Sequence, residues 1–321
     1  MVNLLSGAKV AFVFPGQGSQ SLGMMKQLRH DFPFVGERFE IASEILEFDL
    51  WKLIQDGPLE SLNMTQNTQP ALLAASLATW DAWISLGGVR PQVLAGHSFG
   101  EYTALVCAGS LDYRDAVALV AERGRLMQLA VPEGTGSMAA ILGLEEELLR
   151  KAIDSNSQIG ACDCANFNTG GQIVISGERA AVLAVCDEAK VLGAKRAIVL
   201  PVSVPAHSRL MIKAAEQFSE TLSRVDIIAP KIPLIHNFDV GFHEKPEDIK
   251  IALKKQLYSP VRWTETGEKL AYLGCELVLE CGPGKVLSGL MKKISQNMNI
   301  CSLSSREIME TEIDHAERIM K

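Results

Sequence analysis

Long apolar runs are missing from this 321-residue sequence. No stretch approaches the ~20 uninterrupted apolar residues of a membrane helix, so no helical span is expected. A basic excess is missing too: 38 acidic residues outnumber 31 Lys and Arg, and the net charge of −7 argues against general nucleic-acid binding. The seven cysteines include no C-x-x-C, and their odd number fits buried thiols in a reduced compartment better than a disulfide framework. Cys162 and Cys164 could be half of a metal site, but no His or Cys pair follows at finger spacing. They read as alternate positions of one strand, and no metal is expected. The opening "MVNLLSGAKVAFVFPG" has no basic lead and no small-residue cleavage site, which points to the cytoplasm. Internal repeats and low-complexity tracts are absent as well.

What is present is ordinary for a globular enzyme, with 47% hydrophobic and 21% charged residues. "KVAFVF" and "PQVLAG" read as short strands, and "TQPALLAASLATWDAWISLG" as a helix ending at Gly87-Gly88; a further helix is expected from Leu22. Short strands alternating with longer helices imply an α/β fold whose mostly parallel sheet is covered on both faces. From about Gly134 to Val204 the rhythm becomes strand, helix, strand, strand, helix, strand, the βαββαβ order of a ferredoxin-like unit inserted into the larger one. Afterwards "PLIHNF" and "PEDIKIALKKQL" precede a strand, glycine turn and helix in "CELVLECGPGKVLSGLMKKI". The charged tail beyond Ser304 is expected to be peripheral. Lys195-Arg196, Lys254-Lys255 and Lys292-Lys293 form basic pairs that either face solvent or dock an acidic partner.

"AGHSFGEYTALVCAG" carries the chemistry. Gly96-His97-Ser98-Phe99-Gly100 matches the G-x-S-x-G elbow, in which a sharp strand-to-helix turn exposes a serine and aims the next backbone N–H at the substrate oxygen. A serine needs a base to become a nucleophile. His207, in "VSVPAHS" where the chain returns from the insert, is the best-placed candidate; His236 and His243 are alternatives, and His315 lies in the tail. No acid announces itself as the third member, so a backbone carbonyl is a candidate for orienting the imidazole. Arg123 interrupts an apolar face made by Ala116, Val120, Met127 and Ala130. Its helical neighbours cannot pair it, so its partner is either an internal carboxylate elsewhere in the fold or the carboxylate of a ligand. In "FPGQGSQSLG" the third position of G-x-G-x-x-G is Ser21, which argues against a dinucleotide site. Gln17 is better read as presenting a backbone N–H or its amide at the carboxyl end of the first strand.

Together "FPGQGSQ", "TQPAL", "GHSFGEY", "ERGRLMQ", "VPEGTGSMAAILG", "PVSVPAHS", "QLYSPVRW" and "ECGPGKVLSGL" resemble, in order, the malonyl-CoA:acyl carrier protein transacylases of bacterial fatty-acid synthesis. The resemblance runs to about Ser304. It implies an α/β-hydrolase-like domain from residues 1–133 and 204–321, with a ferredoxin-like subdomain at 134–203. It also implies a catalytic pair of Ser98 and His207, an oxyanion hole from the N–H groups of Gln17 and Phe99, and a malonate clamp at Arg123. Gln256 would orient His207 through its main-chain carbonyl, and Met127 and Asn166 would line the acyl and pantetheine side of the cleft. The implied partners are malonyl-CoA, CoA and acyl carrier protein, with no cofactor, no membrane, no nucleic acid and a monomeric enzyme. Two residues depart from the family pattern, Phe99 where leucine is common and Ala206 where serine is frequent. Both are expected to flank the acyl pocket and to bear on malonyl selectivity. A serine hydrolase using the same elbow, or a binding module that has kept the fold, are the competing readings.

Overall fold

A computed structural model of the chain describes residues 9–202 and 204–321. Among them the strands are β1 Val10–Phe14, β2 Val93–Gly96, β3 Gly136–Leu142, β4 Cys162–Thr169, β5 Gln172–Glu178, β6 Arg196–Val199, β7 Leu234–Ile235, β8 Leu277–Glu280 and β9 Asn299–Ser302. They form two sheets. One has the order β7-β2-β1-β8-β9, and every neighbouring pair in it is parallel.

The residues of β1 show why this sheet is parallel and buried. Val10, Phe12 and Phe14 point into one apolar cluster, while Ala11 and Val13 point into another. A strand buried on both faces has no polar alternation, and helices must cover each side. The long helix Thr65–Ser85 supplies Trp80 and Trp83, which meet Phe12 edge-on with ring centroids 5.5 and 5.4 Å away. The helices Gly100–Cys107 and Tyr113–Leu129 add to the same side.

The second sheet, β4-β5-β3-β6, is antiparallel. Together with the helices Glu146–Ser155 and Arg179–Val191 it has the βαββαβ order expected for the ferredoxin-like unit. Those helices close a small core over one face, around Ile141, Leu149, Ile175 and Val185. Met138, Ala140, Ala165 and Val174 lie on the other face, packed against Leu200 and Ala206. β4 is also stitched to the larger unit: Phe167 N donates to Val261 O at 2.9 Å, and Val261 N donates to Ala165 O at 2.9 Å.

Two expectations need correction. Residues 21–25 turn before a short helix, Lys26–Asp31, so no helix starts at Leu22. The tail is not peripheral. It forms the helix Arg306–Met320, and Met309, Ile313 and Ala316, spaced four and three apart on one face, join the main core while the charged residues face out.

Candidate active site

β2 ends at Gly96 and the helix Gly100–Cys107 begins four residues later. The chain turns so sharply between them that Ser98 takes φ = +53°, a left-handed conformation that side chains other than glycine rarely adopt. The flanking glycines are steric necessities. A Cβ on Gly96 would lie 2.0 Å from the Gly100 carbonyl carbon, and one on Gly100 would lie 2.4 Å from Phe14 O. Asn237 holds the turn from both sides, accepting from Ser98 N at 2.7 Å and donating to Gly96 O at 2.6 Å.

His207 is the histidine that reaches this serine. Its Nε2 lies 2.7 Å from Ser98 Oγ. Its Nδ1 lies 2.8 Å from the main-chain oxygen of Gln256 and 3.2 Å from that of Ser259. Two carbonyl acceptors place the proton on Nδ1 and leave Nε2 as an acceptor for the hydroxyl. Burial, then the positive charge of Arg123, pushes the His207 pKa down to about 3, which keeps the ring neutral near pH 7. The alternatives fall elsewhere. His236 is buried against Glu101 at 2.6 Å, His243 lies 2.9 Å from Asp239, and His315 lies 3.1 Å from Glu312.

Arg123 has no exposed surface. Its Nη2 donates to Gln256 Oε1 at 2.9 Å and stands 3.5 Å from Ser98 Oγ. Nε and Nη1 make no close hydrogen bond among the described residues, and the Tyr102 hydroxyl, itself without a close partner, is the polar group beside them. Of the two partners open to it, the internal carboxylate is therefore not the one found; the acceptor is an amide, and half of the guanidinium fork is left over. Burial lowers the Arg123 pKa, with the nearby Tyr102 and Glu101 opposing that shift.

The backbone N–H groups of Gln17 and Phe99 make no hydrogen bond among the described residues. A cleft of about 230 Å³ opens over Ser98, with Gln17, Met138, Asn166, Ala206 and His207 in its walls. Asn166 reaches the cleft from β4, on the antiparallel sheet's side. Met127 does not line the cleft: it is buried in the main core, with the Gln69 amide 3.8 Å from its sulfur. The Phe99 side chain also belongs to that core, so of the two unusual positions only Ala206 touches the cleft.

Sequence reasoning passed over several polar residues here. Glu101 is fully buried and accepts from Asn237 N at 3.0 Å and from Gln256 Nε2 at 2.7 Å. Its signal was available, since a lone acid in the apolar run "FGEYTALVC" is the same anomaly that marked Arg123. Asn237 and Asn168 carried no comparable signal. His97, directly before the serine, meets Asn168 Oδ1 at 2.9 Å and so bridges the two sheets across the cleft.

The fold and the arrangement around Ser98 define a serine-dependent acyl-transferring enzyme class. The family profile described as acyl transferase domain matches residues 11–310. The chain is 51% identical over 300 residues to the malonyl CoA-acyl carrier protein transacylase of Haemophilus influenzae, covering 92% of this chain and 95% of that protein. The solved acyl carrier protein S-malonyltransferase of Vibrio cholerae superposes with a TM-score of 0.92 at 50% identity, over 95% of this chain and all of that one. A malonyl-transacylase solved in complex with its type II PKS acyl carrier protein gives 0.94 at 47% identity, over 96% of this chain and 100% of that one. The protein belongs to the acyl transferase domain family, among its malonyl CoA-acyl carrier protein transacylases. No helix among the described residues is long and apolar enough to cross a membrane.

Proposed function

We infer that this protein transfers a malonyl group from malonyl-CoA to the phosphopantetheine thiol of acyl carrier protein, by way of a malonyl ester on Ser98, and so supplies fatty-acid elongation. The observation that carries this reading is the 2.7 Å contact between Ser98 Oγ and His207 Nε2, made beside a buried arginine with two unpartnered nitrogens.

His207 takes the hydroxyl proton as Ser98 attacks the thioester carbonyl. The N–H groups of Gln17 and Phe99 face the oxygen that becomes negative, and this stabilises the tetrahedral intermediate. As it collapses the carbon–sulfur bond breaks, His207 returns the proton to sulfur, and CoA leaves. In the second half the carrier-protein thiol gives its proton to His207 and attacks the ester. Ser98 recovers that proton as the leaving alkoxide. The Gln256 carbonyl holds His207 in the tautomer both halves require. Arg123 holds the free carboxylate of the malonyl group, a charged hydrogen bond of about 1.5–3 kcal/mol that an acetyl group cannot make. Asn166 lines the side of the cleft that takes the acyl and pantetheine chains. Residues 1–133 and 204–321 are the catalytic unit and 134–203 the inserted ferredoxin-like subdomain, with 1–8 and 203 outside the described residues. The enzyme acts as a monomer in the cytoplasm.

Intact-protein mass spectrometry after brief exposure to malonyl-CoA tests this reading. A malonyl adduct is expected on the wild type, absent from Ser98→Ala, scarce with acetyl-CoA, and discharged by phosphopantetheinylated carrier protein. An adduct lost equally fast in buffer would make the protein a hydrolase, and no adduct with any acyl-CoA would leave a binding module.

A further inference from the structure

The polar side chains buried behind Ser98 form one connected set. Glu101 stands at the start of the helix Gly100–Cys107 with no exposed surface. Its Oε1 lies 2.6 Å from His236 Nδ1, and its Oε2 accepts from Asn237 N at 3.0 Å and from Gln256 Nε2 at 2.7 Å. Gln256 is itself 1% exposed. The same Nε2 donates to Ser98 O at 3.0 Å, while its Oε1 accepts from Arg123 Nη2 at 2.9 Å.

An amide has a donor end and an acceptor end, and these surroundings accept only one orientation. Exchanging Nε2 and Oε1 would set an oxygen against the Glu101 carboxylate and the Ser98 carbonyl, and an NH2 group against a guanidinium. Each mismatch buries an unpaired polar group, at a typical cost of about 1–3 kcal/mol. The acceptor shown to Arg123 is therefore set by Glu101, one residue removed and the closer, charged acceptor of the two, together with the Ser98 carbonyl. That acceptor engages a single corner of the guanidinium and leaves Nε and Nη1 without partners.

We propose that Glu101 is a positioning residue for acyl selectivity: by fixing the Gln256 amide it aims the Arg123 guanidinium at the carboxylate of the incoming malonyl group. This rests on Arg123 being the carboxylate clamp. Glu101 touches no substrate, and its effect passes through Gln256 to Arg123.

The readout is the ratio of malonyl to acetyl loading of Ser98, both measured on the same preparation so that the folded fraction cancels. Glu101→Met removes both acceptors at similar length, and the ratio should fall roughly tenfold or more, the loss of one charge-assisted hydrogen bond. Glu101→Gln can keep an oxygen toward Gln256, with its NH2 facing His236 in the other imidazole tautomer. It should hold the ratio within about threefold of wild type, less than the worth of one hydrogen bond. Gln256→Leu leaves Glu101 in place and should lower the ratio as Glu101→Met does, so the relay is testable even if Glu101→Met fails to fold. Glu101→Met that slows both acyl groups equally would make Glu101 a support of the elbow alone and overturn the proposal. So would an unchanged ratio in Gln256→Leu, or equal losses in the Met and Gln variants. Wild-type protein that loads acetyl as readily as malonyl would instead refute the Arg123 reading beneath it.

Discussion

Ser98 holds a conformation that costs a non-glycine residue of order 1–3 kcal/mol, and such strain persists only where the surroundings over-determine it. Here they do, through the two hydrogen bonds of Asn237. His207 also has a positive φ, +60°, and its backbone N donates to Leu257 O at 3.0 Å, so both partners of the proton transfer sit on backbone held from outside. Arg123 is constrained by the opposite means, hydrogen-bonding capacity left over on a fully buried side chain. Replacing it by alanine should reduce the preference for malonyl over acetyl by about 10–100-fold, the equivalent of one charged hydrogen bond. Competitive loading from an equimolar mixture of the two CoA esters, read by adduct mass, measures this directly. An unchanged preference would place malonyl selectivity on another residue.

Among the elements, the elbow depends on how closely β1 and the helix Gly100–Cys107 approach. Gly100→Ala would put a methyl group 2.4 Å from Phe14 O and 2.8 Å from Pro15 O, both main-chain atoms. Overpacking typically costs about 1–3 kcal/mol, and relief here requires moving the serine. The variant should therefore melt earlier and lose at least about tenfold in Ser98 loading per folded molecule, since a misplacement near 1 Å can cost that much or more. Calorimetry together with adduct counting separates the two effects. The terminal helix predicts the reverse pattern. Met309 is fully buried in the main core, far along the chain from the site. Met309→Ala should cost about 2–5 kcal/mol in denaturant unfolding while loading per folded molecule stays at the wild-type level.

At the scale of the whole molecule the cleft is a joint product of two sheets, with Ser98 on the parallel one and Met138 and Asn166 on the antiparallel one. Closing it buries imidazoles, and that sets a pH dependence. His207 is pushed from 6.5 to about 3, chiefly by burial and then by Arg123, and His97 is lowered by burial. Between those values the unfolded chain binds more protons than the folded one, so stability rises with pH there. The contribution is full above pH ~6.5, the ordinary imidazole value, and is lost progressively as pH falls toward 3. Unfolding midpoints from pH 7.5 to about 5 should accordingly drop more steeply for the wild type than for His207→Gln, which has no proton to gain. Equal slopes would mean that His207 does not titrate between the two states.

Much of this was legible in the one-dimensional pattern. The elbow, the βαββαβ insert, the parallel sheet and the arginine in an apolar stripe are local features, written as spacings that any fold must respect. Separation in sequence hid the rest. Asn237 lies 139 residues from Ser98 and Gln256 lies 133 from Arg123, and neither spacing has a period that could announce a contact. The charged tail misled because four and three residue spacing on a single face is all that makes a helix bury one side. Met127 and Phe99 were expected at the cleft and lie in the core, since a position in a motif fixes the backbone but not which way a side chain turns once its neighbours are packed. The sequence thus carried the chemistry and its order along the chain. The choice among histidines, the single orientation of the Gln256 amide and the unpaired half of the Arg123 guanidinium came from packing, because each depends on which distant groups are brought within about 3 Å and shut away from water.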